Sequence, residues 1–141
     1  MVSAMTSTIL YAEDERWIRQ YLHQELLTAG YKVILTADGI ETLDALDDIP
    51  VDLVIIDEHM PRCNGLEAAR HIKLLNPTLP IILFTCDQHY EQYRSPFIDA
   101  VIIKSEDLTE LKAEVASLLF NGLEPVTGEP ARVQEKVFSD Y

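Results

Sequence analysis

The stretch VDLVIIDEHMPRCNG, Val51 to Gly65, carries five apolar residues interrupted only by Asp52, then stops on an acid, Asp57, followed by Glu58 and His59. An apolar run this short, made of Leu, Val and Ile, suits a strand covered on both faces. The same signature recurs on either side of it, at Thr8 to Tyr11, Lys32 to Leu35, Ile81 to Phe84 and Val101 to Ile103. Between these runs the apolar residues change to helical spacing. Ile18, Tyr21, Leu22 and Leu26 share one face, as do Ile40, Leu43 and Leu46, then Leu66, Ala69, Ile72 and Lys73, and finally Leu108, Leu111, Val115, Leu118 and Leu119. Five strands alternating with helices through short loops predict a doubly wound α/β domain, a five-stranded parallel sheet with helices on both faces, because right-handed crossovers place them there.

Punctuation agrees with this reading. Gly30 follows the first helix as a C-cap and Asn76-Pro77 stops the third. Ser105-Glu106-Asp107 is expected to open the last helix, with a capping residue and acids at the positive end of its dipole. From Asn121 onward Gly, Pro and Glu accumulate, so the domain is assigned to residues 1–122 and residues 123–141 to a mobile or extended tail.

Composition excludes several classes of function. The 141 residues are enough for one core burying about two-thirds of the unfolded surface. Eleven Lys and Arg stand against 24 Asp and Glu, a formal net charge of -13, which opposes a nucleic-acid surface. There is no run of about 18 apolar residues and no signal-peptide pattern, so no membrane role is expected and the chain is placed in the cytoplasm. Cys63 and Cys86 form neither a CxxC nor a set of four ligands, and are read as free thiols.

In such a sheet the carboxyl ends of the strands face one edge, where ligands bind. Glu13 and Asp14 end the first strand, Asp57 the third, Thr85 the fourth and Lys104 the fifth. Singly, each has a plain structural reading: a turn cap, β-branched filler, a solvated charge. Together they make a site. Three close carboxylates repel unless a cation intervenes, and Mg²⁺ suits a few carboxylates with waters and a phosphate oxygen. By screening Asp57 it would make that carboxylate a usable nucleophile toward phosphorus, with Lys104 and the Thr85 hydroxyl on the remaining phosphoryl oxygens.

ILYAEDE, LVIIDEHMPRCNGLE, IILFT and DAVIIK, in this order from about Thr8 to Phe120, resemble the receiver domain of two-component response regulators, the CheY-like fold. The resemblance implies a flavodoxin-like strand order of 2-1-3-4-5. It implies that Asp57 accepts phosphoryl from the phosphohistidine of a sensor histidine kinase or histidine phosphotransfer protein. Asp14 would ligate Mg²⁺ directly, Glu13 through water and His59 by its backbone carbonyl, while Thr85 and Lys104 bind the phosphoryl group. A downstream protein effector is implied, a homodimer is possible, and the chemistry is limited to the domain's own phosphotransfer and dephosphorylation. Gly65 would supply the permissive backbone of the loop after Asp57. His59 and Asp87, two positions beyond Asp57 and Thr85, stand where the family tunes the lifetime of the phosphoryl group.

The chain departs from the family at three places. Val101 stands where an aromatic ring usually moves inward with the Thr, and Ser105 stands where Pro usually follows the Lys, so a trans bond is expected there. Between Thr85 and Lys104 the chain is short and contains Ser95-Pro96, so the fourth helix is expected to be short or irregular. Trp17 is expected to cover the junction near the acid pair. The alternative function is a phosphorylation-independent interaction module of the same fold. A phosphatase or mutase would call for a second acid where His59 stands, and a flavin site for a phosphate loop where Glu13 and Asp14 stand.

Overall fold

The computed structural model describes residues 6–123. Five strands, β1 (Thr8–Ala12), β2 (Lys32–Thr36), β3 (Leu53–Ile56), β4 (Ile81–Thr85) and β5 (Ala100–Ile103), pair in parallel in the order β2-β1-β3-β4-β5. Four helices connect and follow them: α1 (Arg16–Thr28), α2 (Gly39–Asp48), α3 (Gly65–Leu75) and α4 (Thr109–Leu123). This is the doubly wound, flavodoxin-like order expected from the sequence. The tail assigned to residues 123–141 lies, apart from Leu123, outside the described residues.

Alternation along the strands divides the core in two. Ile9, Tyr11, Leu53, Ile55, Ile82, Phe84 and Ile102 face the layer formed by α1 and α4, meeting Ile18, Leu22, Leu26, Leu111 and Val115. Leu10, Ala12, Val54, Ile56, Ile81 and Leu83 face the opposite layer, meeting Ala68, Ala69 and Ile72 of α3 with Leu43 and Leu46 of α2 packed alongside. Each fully buried Leu or Ile side chain contributes about 1.5–3 kcal/mol, so the two layers rather than helix propensity hold the sheet.

The helix ends carry local causes. After α1 the amide of Tyr31 reaches the Leu26 carbonyl (3.2 Å) and that of Gly30 the Leu27 carbonyl (2.9 Å). Gly30 has φ +101°, so this is a Schellman stop in which a β-carbon would be strained. Asn64 caps α3 by accepting from the Glu67 amide at 2.9 Å, and Asn76 ends it as expected.

The fourth crossover is where the architecture thins. The segment expected to hold a short or irregular helix forms a single 3-10 turn, Tyr90–Tyr93. Three expectations need correction. The last helix begins at Thr109 rather than at Ser105. The Ser105 hydroxyl accepts from the Asp107 amide (3.1 Å) and the Asp107 carboxylate from the Thr109 amide (2.9 Å), so these residues spend their oxygens on two successive turns. Tyr21 is 37% exposed because its hydroxyl leaves the core to donate to the Glu106 carbonyl at 2.8 Å. Trp17 is 61% exposed and covers little.

Candidate functional site

A parallel sheet puts all its carboxyl ends on one edge, and side-chain alternation decides which residues meet there. The row Ile9, Tyr11 leads to Glu13; the row Leu53, Ile55 leads to Asp57; Ile102 leads to Lys104. All three rows lie on the α1 and α4 side, so the acids and the ammonium converge. Lys104 Nζ lies 3.0 Å from Glu13 Oε1 and 3.3 Å from Asp57 Oδ1, and sits 5.9 Å from the centre of the Phe84 ring. The Lys104 amide donates to the Thr85 carbonyl at 2.6 Å, which fixes the end of β5 against that of β4.

Glu13 is fully buried and held from several directions. The Tyr11 hydroxyl donates to its Oε1 (3.3 Å), the Glu15 amide to its Oε2 (3.3 Å), and Arg19 Nη1 to its carbonyl (2.8 Å). Burial, reinforced by Glu13, pushes the Tyr11 phenol above the usual tyrosine range. Asp14 is exposed at the mouth of the rim. The Asp57 carboxyl is pushed up to about 7, first by burial and then by the charge of Glu13, against which Lys104 pulls it down. One ammonium between two buried carboxylates therefore leaves an excess of negative charge.

That excess is the test of a cation site. Glu13, Asp14 and Asp57 can each offer a carboxylate oxygen with all three atoms within 4.8 Å of one another. An all-oxygen donor set with surplus negative charge fits a hard divalent ion such as Mg²⁺. The expected fourth contributor, His59, would act through its backbone carbonyl; its side chain is exposed, with Nε2 3.1 Å from Glu58 Oε2.

The loop after Asp57 is held by shape. A β-carbon on Gly65 would collide with the Asp57 carbonyl oxygen, so the permissive backbone expected of Gly65 serves a close approach of two loop segments. The left-handed residue is Arg62, at φ +71°, whose guanidinium forks onto the Asp38 carboxylate with two contacts of 3.1 Å. Hydrogen bonds from the Glu41 amide and then from Arg62 hold the Asp38 carboxyl below the usual range.

Residues 9–116 match the family described as the response regulator receiver domain. The chain belongs to that family. Response regulator MprA of Mycobacterium sp. (strain KMS) is 34% identical over 119 residues, covering 82% of this receiver chain and 51% of that protein. The receiver chain thus spans about half the length of the curated relatives it matches. Among solved structures, the response regulator TrrA of Thermotoga maritima in complex with Mg²⁺-BeF is 35% identical, with TM-score 0.76, covering 80% of this chain and 99% of that one. TrrA in complex with the histidine kinase ThkA matches at 36% identity and TM-score 0.74, over 81% of this chain and 99% of that one. Among the described residues, no helix of the receiver domain is long and apolar enough to cross a membrane.

Sequence reasoning missed Glu58. Its side chain is 3% exposed, and Oε1 has no hydrogen-bond partner among the described residues. In the receiver sequence it reads as a loop acid. The signal was the two-residue period: Glu58 continues the row Val54, Ile56, which faces α3.

Proposed function

We propose that this receiver domain is a phosphorylation-controlled switch of a two-component system, in which Asp57 accepts a phosphoryl group from a phosphohistidine. The observation that carries the reading is the pairing of a buried Asp57 with Lys104, beside Glu13 and Asp14, on one sheet edge. One Asp57 oxygen bonds to phosphorus as the P–N bond to the donor imidazole breaks, and the electron pair stays on that nitrogen. The product is an acyl phosphate on Asp57.

The chain's own residues divide the work. Glu13 and Asp14, with Asp57 and the His59 carbonyl, would hold Mg²⁺, which screens the carboxylate from the incoming anion and stabilises charge in the transition state. Lys104 leaves its contacts with Glu13 and Asp57 to pair with a phosphoryl oxygen, and the Thr85 hydroxyl donates to another. Burial of Asp57 keeps bulk water from the acyl phosphate.

The donor is a sensor histidine kinase or a histidine phosphotransfer protein, in line with the TrrA structures with ThkA and with Mg²⁺-BeF. The output is a protein effector, or a second copy of the chain, in the cytoplasm. The domain extends over residues 1–122, with a tail beyond it, and contacts neither nucleic acid nor membrane. The test is incubation with acetyl phosphate and Mg²⁺. Wild-type protein takes one phosphoryl group and Asp57→Asn none; full labelling of the Asn variant at another residue refutes the assignment.

A further inference from the structure

Thr85 is fully buried at the end of β4, and its Oγ1 accepts a hydrogen bond from the Asp87 amide at 3.0 Å. The Asp87 carboxylate, in turn, gathers the start and end of the 3-10 turn. It accepts from the His89 amide (2.8 Å), from Gln92 Nε2 (3.1 Å) and from the Tyr93 hydroxyl (2.7 Å). Tyr93 is half-buried, and its ring packs against the core layer on the α3 side. Phe97, Ile98 and Val101 pack against that same layer. The strand position that contributes only Val101 is therefore accompanied on its own face by an aromatic ring, carried on a different element. The hydrogen bond to Asp87 is strong enough to push the Tyr93 phenol up to about 12.

We infer that Thr85, Asp87 and Tyr93 form the readout of this domain, a chain of hydrogen bonds that transmits the state of Asp57 to the 3-10 turn and the Tyr93 ring. This rests on the phosphoacceptor reading of Asp57. In register, Asp57 lies beside the end of β4, since Ile56 pairs with Leu83. A phosphoryl group there offers acceptor oxygens to the Thr85 O–H. Drawing the hydroxyl toward it withdraws Oγ1 from the Asp87 amide. Asp87 is the residue on which His89, Gln92 and Tyr93 are all anchored, so its displacement moves the turn as a unit. With no full helix in this crossover, little backbone hydrogen bonding resists the movement.

Arg94, immediately after the turn, gives a convenient reporter: cleavage of the Arg94–Ser95 bond by trypsin, followed by mass spectrometry. With acetyl phosphate and Mg²⁺, cleavage of the wild type is expected to rise about fivefold, the weight of one hydrogen bond in a local opening equilibrium. In Tyr93→Phe, which removes one oxygen from a half-buried residue, cleavage is expected to be fast before phosphorylation and to change little after it, while Asp57 still takes its label. Labelled wild type with unchanged cleavage overturns the inference, as does Tyr93→Phe responding like wild type. Absence of label on Asp57 fails the underlying reading instead, and the inference with it.

Discussion

Asp57 is a carboxyl held where its charge is unwelcome. Its folded-state value of about 7 lies above the ordinary 3.8, because burial and Glu13 outweigh Lys104. A raised acid contributes stability that is fully present below its unfolded value and lost as pH rises through the folded one. In metal-free buffer the wild type should therefore weaken between about pH 4 and 7. Asp57→Asn cannot ionise and escapes that loss. It should be more stable than wild type at pH 8 by on the order of 2 kcal/mol, after discounting for partial solvent screening, and should show no advantage at pH 4. Urea midpoints at the two pH values measure the difference; equal midpoints at pH 8 would mean that Lys104 neutralises the site completely. The residues behind this balance were legible because strand ends can be counted. Glu58 was not, because an acid one step past a strand looks solvated until the alternation is followed past the last apolar residue.

At the scale of elements, the helix that follows the loop after Asp57 depends on its first turn. Asn64 satisfies the Glu67 amide, and Glu67 places an acid at the positive end of α3. Asn64→Ala should cost about 1 kcal/mol in denaturant melts, whereas Asn64→Asp should keep the cap and lose little. The strands were the most readable elements, since a run such as Leu53–Ile56, rich in β-branched residues and bounded by polar ones, is too short for a buried helix. The start of α4 was the least readable. Ser105 and Asp107 are both capping types, and composition does not tell which of them opens a helix and which closes a local turn; here both oxygens go to turns that precede Thr109. The 3-10 turn was legible as a defect, from Ser95-Pro96 and the short spacing, but the hydrogen bonds that organise it were not. They depend on Asp87 serving three donors that lie near one another only after the turn has formed.

For the whole molecule the dominant electrostatic fact is the excess of acids, 24 against 11 bases. Any salt should relieve general repulsion, so stabilisation by Mg²⁺ is informative only beside NaCl of equal ionic strength. A ligand that binds the folded state alone stabilises by RT ln(1 + [L]/Kd), about 2.7 kcal/mol at a hundredfold excess over Kd. Wild type should therefore melt higher in MgCl2 than in matched NaCl. Asp14→Ala, which changes the exposed member of the carboxylate group, should melt alike in both. A differential retained in that variant would move the cation elsewhere on the acidic surface.

The end of the sheet has a further consequence. Strand β5 has a neighbour on one side only, and its sequence, AVII, is an apolar edge of the kind that recruits strands from other chains. Two charges flank it, Asp99 and Lys104, and both are already engaged, Asp99 with Lys73 and Lys104 with Glu13 and Asp57. The Lys104 side chain is only 11% exposed and paired inside the carboxylate cluster, so little charge faces an incoming strand at this end of the edge.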